Sequence, residues 1–138
     1  PIMANGFTNA GERELLQQTF TQGNIEMTLY NDATDQITDS DGVSDITEPQ
    51  GSQFSRAIVS ASDVAVTTDT GVAVIDIAAQ FFNVTDSTMN VDGYALILSD
   101  GRLLHRGQID TSDRSTDYID LDQNDELLLG GEPARLDD

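Results

Sequence analysis

The densest run of side chains able to do chemistry is Asp39-Ser40-Asp41-Gly42-Val43-Ser44-Asp45-Ile46-Thr47-Glu48. Carboxylates at alternate positions are hard oxygen ligands, and a glycine among them permits the sharp turn of a calcium loop. Against that loop pattern Asp39, Asp41, Gly42 and Glu48 take the third, fifth, sixth and twelfth positions. Ile37 falls on the first, where it cannot ligate, and no helical pattern flanks the loop. An EF-hand is therefore not expected. What remains is a looser Ca2+ or Mg2+ site built from Asp39, Asp41, Asp45 and Glu48. Composition offers the competing reading: with 25 acidic residues in the chain, such clusters arise without a specific ligand and face hydrated cations.

Other chemistries find less support. His105, the single histidine, sits in Leu103-Leu104-His105-Arg106-Gly107, and no Gly-x-Ser-x-Gly supplies a serine for it to activate. It reads as a partly buried strand residue or an interface residue. Paired carboxylates also recur at Asp110-Thr111-Ser112-Asp113 and from Asp117 to Asp125. Glycoside hydrolysis would need a cleft around such a pair. Clefts of that kind are commonly aromatic-lined, and this chain has 6% aromatic residues and no tryptophan. Gly130-Gly131-Glu132 lacks the lysine and the following helix of a phosphate loop. Asn83-Val84-Thr85 is a glycosylation sequon at a strand end. No catalytic residue is expected.

Composition narrows the field further. The 138 residues suit one domain, 1–138. All 6 basic residues are arginines, and lysine and cysteine are absent. No disulfide framework or thiolate metal site can form. A net charge of −19 argues against nucleic acid as a partner. That charge opposes compaction in dilute buffer, but at molar salt the Debye length is about 3 Å and the repulsion is screened. Acid excess without lysine resembles the proteins of extreme halophiles. An acidic disordered chain is not expected, because 38% of the residues are apolar and they fall in short periodic runs. No apolar run is long enough to span a bilayer, and Pro1-Ile2-Met3-Ala4-Asn5-Gly6 has neither region of a signal peptide, so no membrane contact is expected.

The elements that position these residues follow from periodicity. Asn9-Ala10-Gly11-Glu12 has capping-box spacing, and Leu15, Leu16 and Phe20 continue it as the apolar stripe of a short helix over about 9–22. From Ile25 the pattern changes to period two. Strands are predicted at Ile25–Tyr30, Phe54–Ser60, around Val64 and Val66, Val72–Phe82, Tyr94–Leu98, Leu103–Ile109, Tyr118–Leu121 and Glu126–Leu129. Ser99-Asp100-Gly101-Arg102 predicts a tight type I′ hairpin. The acidic segment over about 32–51 is long for a structureless loop, which points to a functional or partner-contacting role. The expected fold is mainly β: an antiparallel, jelly-roll-like β-sandwich of about seven to eight strands with one short N-terminal helix.

Arginine is enriched at interfaces, so Arg56, Arg102 and Arg106 are candidates for pairing with acids across subunits, the alternative being intrachain surface pairs. Leu15, Leu16 and Phe20 on the helix, and Phe82 on the poorly polar face of its strand, are the apolar interface candidates.

A family likeness follows from the order of these pieces: Phe7-Thr8-Asn9-Ala10-Gly11-Glu12 before the helix, Met27-Thr28-Leu29-Tyr30-Asn31-Asp32, Phe54-Ser55-Arg56-Ala57, the hairpin Gly93 to Leu104, and Ile119 to Leu129. Covering most of the chain, they resemble the short structural proteins of tailed-virus particles, of the capsid decoration, turret or tail-associated β-sandwich type. With the halophile-like composition, the resemblance implies a virion protein of a haloarchaeal tailed virus. Such a protein is assembled in the host cytoplasm at high salt and carries no catalytic residues. The implied partners are copies of itself, as trimer, pentamer or hexamer, and the major capsid protein or other virion proteins. The acidic 32–51 loop is longer than the likeness requires. Two alternatives stand beside it: a tail-tube or neck subunit of the same kind of virus, and a small cation- or carbohydrate-binding module of a halophile.

Overall fold

A computed structural model describes residues 8–21, 24–69, 72–83, 88–129 and 133–136. The chain is mainly β with antiparallel sheets and one main helix. In chain order the elements are α1 (Asn9–Thr21), β1 (Ile25–Tyr30), α2 (Asp32–Asp35), β2 (Ala57–Val59), β3 (Val64–Asp69), β4 (Val72–Ile77), β5 (Gln80–Asn83), β6 (Met89–Val91), β7 (Gly93–Ile97), β8 (Leu103–Gln108), β9 (Ile119–Leu121), β10 (Glu126–Leu129) and β11 (Pro133–Leu136). The largest sheet has the order β2-β1-β7-β8; the others are β11-β4-β3, β10-β5 and β6-β9. Among the described residues no helix is long and apolar enough to cross a membrane.

The predicted helix forms, but its cap lies one residue earlier than the spacing suggested. Thr8 Oγ1 accepts from Gly11 N–H at 3.1 Å, and Thr8 carbonyl accepts from Glu12 N–H at 2.9 Å. Glu12 thus stands one position past the capping-box place and is buried. The apolar stripe packs α1 on β3 and β4.

In β1, Ile25, Met27 and Leu29 enter the main core, and the alternate residues Thr28 and Tyr30 face the other side of the sheet. Every residue of β7 is buried, so both faces of this sheet are covered along β7. The main core draws Val59, Ile75, Ile77, Phe82, Val91, Leu96, Leu121 and Leu129 from all four sheets, together with Phe20 from α1.

The long apolar run from Val72 to Phe82 is not one strand. It breaks at Ala78 and Ala79, where Ala78 N–H reaches back to Asp63 carbonyl at 2.7 Å. The break shifts the alternation by one, because side-chain direction in a strand has a period of two. Before it Ile75 and Ile77 are buried; after it Gln80 and Phe82 are. Phe82 is therefore a core residue, 1% exposed and stacked on Phe54 with ring centroids 6.2 Å apart, whereas Phe81 is outside.

The Asp100-Gly101 hairpin also forms, with a different turn. A type I′ turn needs positive φ at both central residues. Here Asp100 has none and Gly101 has φ of 90°. Gly101 N–H donates to Leu98 carbonyl at 2.9 Å, and Leu98 N–H to Arg102 carbonyl at 2.8 Å. This is a three-residue loop closed by a glycine bulge. A second irregularity follows in the register, between Leu96↔His105 and Ile97↔Leu103, which leaves Leu104 as the extra residue of β8.

Candidate functional site

The acidic 32–51 segment is structured rather than open. It contains α2 and a 3-10 turn at Val43–Asp45, and it lies over the outer face of the large sheet. Ile37 and Ile46 descend from it into a small core with Tyr30 and Ala95. Burying each isoleucine is worth about 1.5–3 kcal/mol. That exceeds the ion pair of the same segment from Arg106 Nη2 to Asp39 at 2.8 Å, because Asp39 is 99% exposed and such pairs contribute about 0–1 kcal/mol. Apolar burial holds the segment down, and the charged contacts fix its register.

Its acids turn toward backbone amides. Asp41 Oδ2 accepts from Thr38 N–H at 2.8 Å, and Asp45 Oδ2 from Gly42 N–H at 2.8 Å. Asp35 accepts from Thr47 N–H at 2.7 Å, and Asp92, on the β6–β7 connection, accepts from Asp32 N–H at 2.6 Å. Glu48 reaches beneath the loop to Arg56: Nε and Nη2 donate to its two oxygens at 3.0 and 2.7 Å, and Thr28 Oγ1 donates to the same carboxylate. Burial pushes the Glu48 carboxyl up, but the hydrogen bonds from Arg56 and Thr28 outweigh it and hold it below the usual range.

The four residues of the expected cation site are thus not brought together. Asp39 faces Arg106, Asp41 and Asp45 close separate turns, and Glu48 faces Arg56. Among the described residues no group of three or more His, Asp or Glu is placed to hold a metal ion.

The three arginines singled out for subunit contacts all have intrachain partners. Arg56 bridges Glu48 and, at 3.3 Å, Glu26; Arg102 pairs with Asp100 at 2.8 Å; Arg106 holds Asp39 and donates to Ile37 carbonyl. Of the four apolar interface candidates, Phe20 is 2% exposed and Phe82 is buried, so both belong to the chain's own core. Leu16 packs against that core, and Leu15 is the one at the surface, 43% exposed.

Two clefts flank Arg106. One, of about 520 Å3, lies between Thr38, Asp39, Asp41 and His105; the other, of about 320 Å3, between Tyr30, Asp32, Asp92 and Gln108. In the second, Tyr30 hydroxyl donates to Asp32 at 3.3 Å, and burial followed by the Asp32 charge pushes the phenol well above its ordinary pKa. His105 is a half-buried strand residue, one of the two readings its sequence allowed. Its Nδ1 is buried without a hydrogen-bond partner, its ring lies 5.8 Å from that of Tyr94, and burial pulls its pKa down. No hydroxyl is therefore bonded to that nitrogen. The sequon residue Asn83 is exposed at the end of β5, and Val84 and Thr85 lie outside the described residues.

Periodicity missed the surface these elements expose. Phe81 and Leu128 are directly opposed in the β5–β10 ribbon, 50% and 66% exposed, and Ile58 on neighbouring β2 is 58% exposed. The available signal was the Ala78-Ala79 pair, which interrupts the β-branched run and marks the break. Compared with known protein families, curated proteins and solved structures, the chain matches none.

Proposed function

We propose that this chain is a non-enzymatic virion structural protein, a subunit that assembles with its own copies and decorates or stabilises the capsid of a tailed virus of a halophilic host. The observation supporting docking on the particle is the outward face of the β5–β10 ribbon. A lone surface leucine is ordinary. An aromatic and an aliphatic side chain opposed across two strands form a patch, and in a chain of net charge −19 that patch marks a contact surface. Its few side chains are too small to fill the roughly 800 Å2 per partner of a stable pair. The contact suits an array, where many weak contacts act together.

We further propose that the sheets close as a jelly-roll-like sandwich; the shared core drawn from all four of them supports this. The acidic outer surface would keep particles apart in brine. Size-exclusion chromatography with light scattering, in molar potassium chloride and again at low salt, tests the assembly. A discrete trimer, pentamer or hexamer is expected. A strict monomer at every concentration refutes self-assembly in free solution.

A further inference from the structure

The ribbon face is not uniformly apolar. Alternation places Asn83 and Glu126 on the same outward side as Phe81 and Leu128, and the register pairs Asn83 directly with Glu126. Gln53, Asn124 and Asp125 join them around a cleft of about 350 Å3. One half of the face is therefore apolar. The other half offers two carboxylates and three side-chain amides.

We infer that this face receives a strand or loop of a different protein, one that presents an arginine or lysine beside apolar side chains. The inference rests on the reading of the chain as a docking subunit. Charge decides the occupant. A carboxylate cleft beside an apolar pair complements a cation beside an apolar group, and guanidinium pairs with carboxylate in two-point geometry. A second copy fits poorly, because Arg56 and Arg106 are held in part-buried intrachain contacts and Arg102, though exposed, pairs within its own hairpin turn. Arg13 has no ion pair among the described residues, but its helical neighbour Leu16 packs against the chain's own core and exposed Leu15 lies about 200° around α1 from it. Arg114 sits within the exposed polar stretch Ser112–Asp117. Like faces would bring acid against acid.

The test uses the full chain in molar potassium chloride and follows backbone amide shifts by NMR. Three blocked hexapeptides are titrated: alternating Leu–Arg, Ser–Arg and Leu–Glu. The Leu–Arg peptide is expected to give saturable shifts centred on Phe81, Asn83, Glu126 and Leu128, with the other two binding at least about tenfold more weakly. Leu128→Ser and Glu126→Gln, both at exposed positions, are each expected to weaken Leu–Arg binding about tenfold while the circular dichroism spectrum stays unchanged. Absent shifts, shifts spread over the whole acidic surface, or equal binding of Leu–Glu overturn the inference. Light scattering on Leu128→Ser separates it from the assembly reading. An intact oligomer that has lost peptide binding supports a non-self partner. An oligomer that dissociates makes the face a self-contact, overturning the inference and leaving assembly standing.

Discussion

Replacing Arg56 by methionine keeps most of the aliphatic stem and removes the guanidinium. Three contacts go with it: two to Glu48 at 3.0 and 2.7 Å and one to Glu26 at 3.3 Å. Glu48 is left with the Thr28 hydroxyl alone, in a site where its side chain is 20% exposed. Exposed pairs are worth about 0–1 kcal/mol and breaking a fully buried one costs about 3–5, so this half-covered pair falls near 2 kcal/mol. For a domain of this size that lowers Tm by about 6–8 °C.

The pH dependence carries a definite sign. In the parent chain the folded Glu48 carboxyl lies below its ordinary range. Its contribution is therefore present above the ordinary carboxylate value of about 4.3 and fades as pH falls through the lowered folded value. Without Arg56 only burial and Thr28 act on it. The gap between parent and variant is then widest near neutral pH and closes as pH falls through the lowered folded value of the parent's Glu48. Urea denaturation in molar potassium chloride, from neutral to acid, measures it. A gap below about 0.5 kcal/mol at neutral pH, or one that does not close in acid, refutes the reasoning.

The strand break predicts opposite outcomes for adjacent residues. Phe82→Ala should cost about 3–5 kcal/mol and Phe81→Ala within about 0.5, and equal losses in chemical denaturation would mean the parity is wrong. At Gly107 an added Cβ would lie 2.4 Å from the ring of buried Tyr94, so Gly107→Ala should cost about 1–3 kcal/mol; Gly42→Ala, with nothing within 4 Å, should be near neutral. Burial lowers the His105 pKa, so its contribution is intact above about pH 6.5 and is lost as pH falls from there through the folded value. His105→Leu should flatten that limb of the stability profile, and a variant whose profile runs parallel to the parent's would contradict the assignment.

Where one face was buried and one exposed, the elements were legible. Ile25, Met27 and Leu29 alternate as β1 does, and Leu16 and Phe20 mark the inner side of α1. The sheet pairing was not legible, because β2 and β6 are only three residues long and their partners lie far along the chain. The second apolar face was hidden for a different reason. Ile37 and Ile46 sit singly among polar residues, and only the folded loop brings them over Tyr30 and Ala95. The expected cation cluster was ambiguous because oxygen ligands and turn-closing acceptors draw on the same residue types. Ser, Asp and Gly at short spacing suit both uses, and in this fold local amides take up Asp41 and Asp45.

That use of aspartate recurs. Asp41, Asp45, Asp63 and Asp125 each accept from the backbone N–H three residues earlier, at 2.7–2.9 Å. The interaction needs an acceptor oxygen, and an asparagine amide supplies one without the charge. Architecture and ionisation are therefore separable at these positions. A set of asparagine replacements would discharge the chain in single steps while keeping its turns closed. Dependence on brine could then be titrated through the sequence, with the fold held constant, instead of through the solvent.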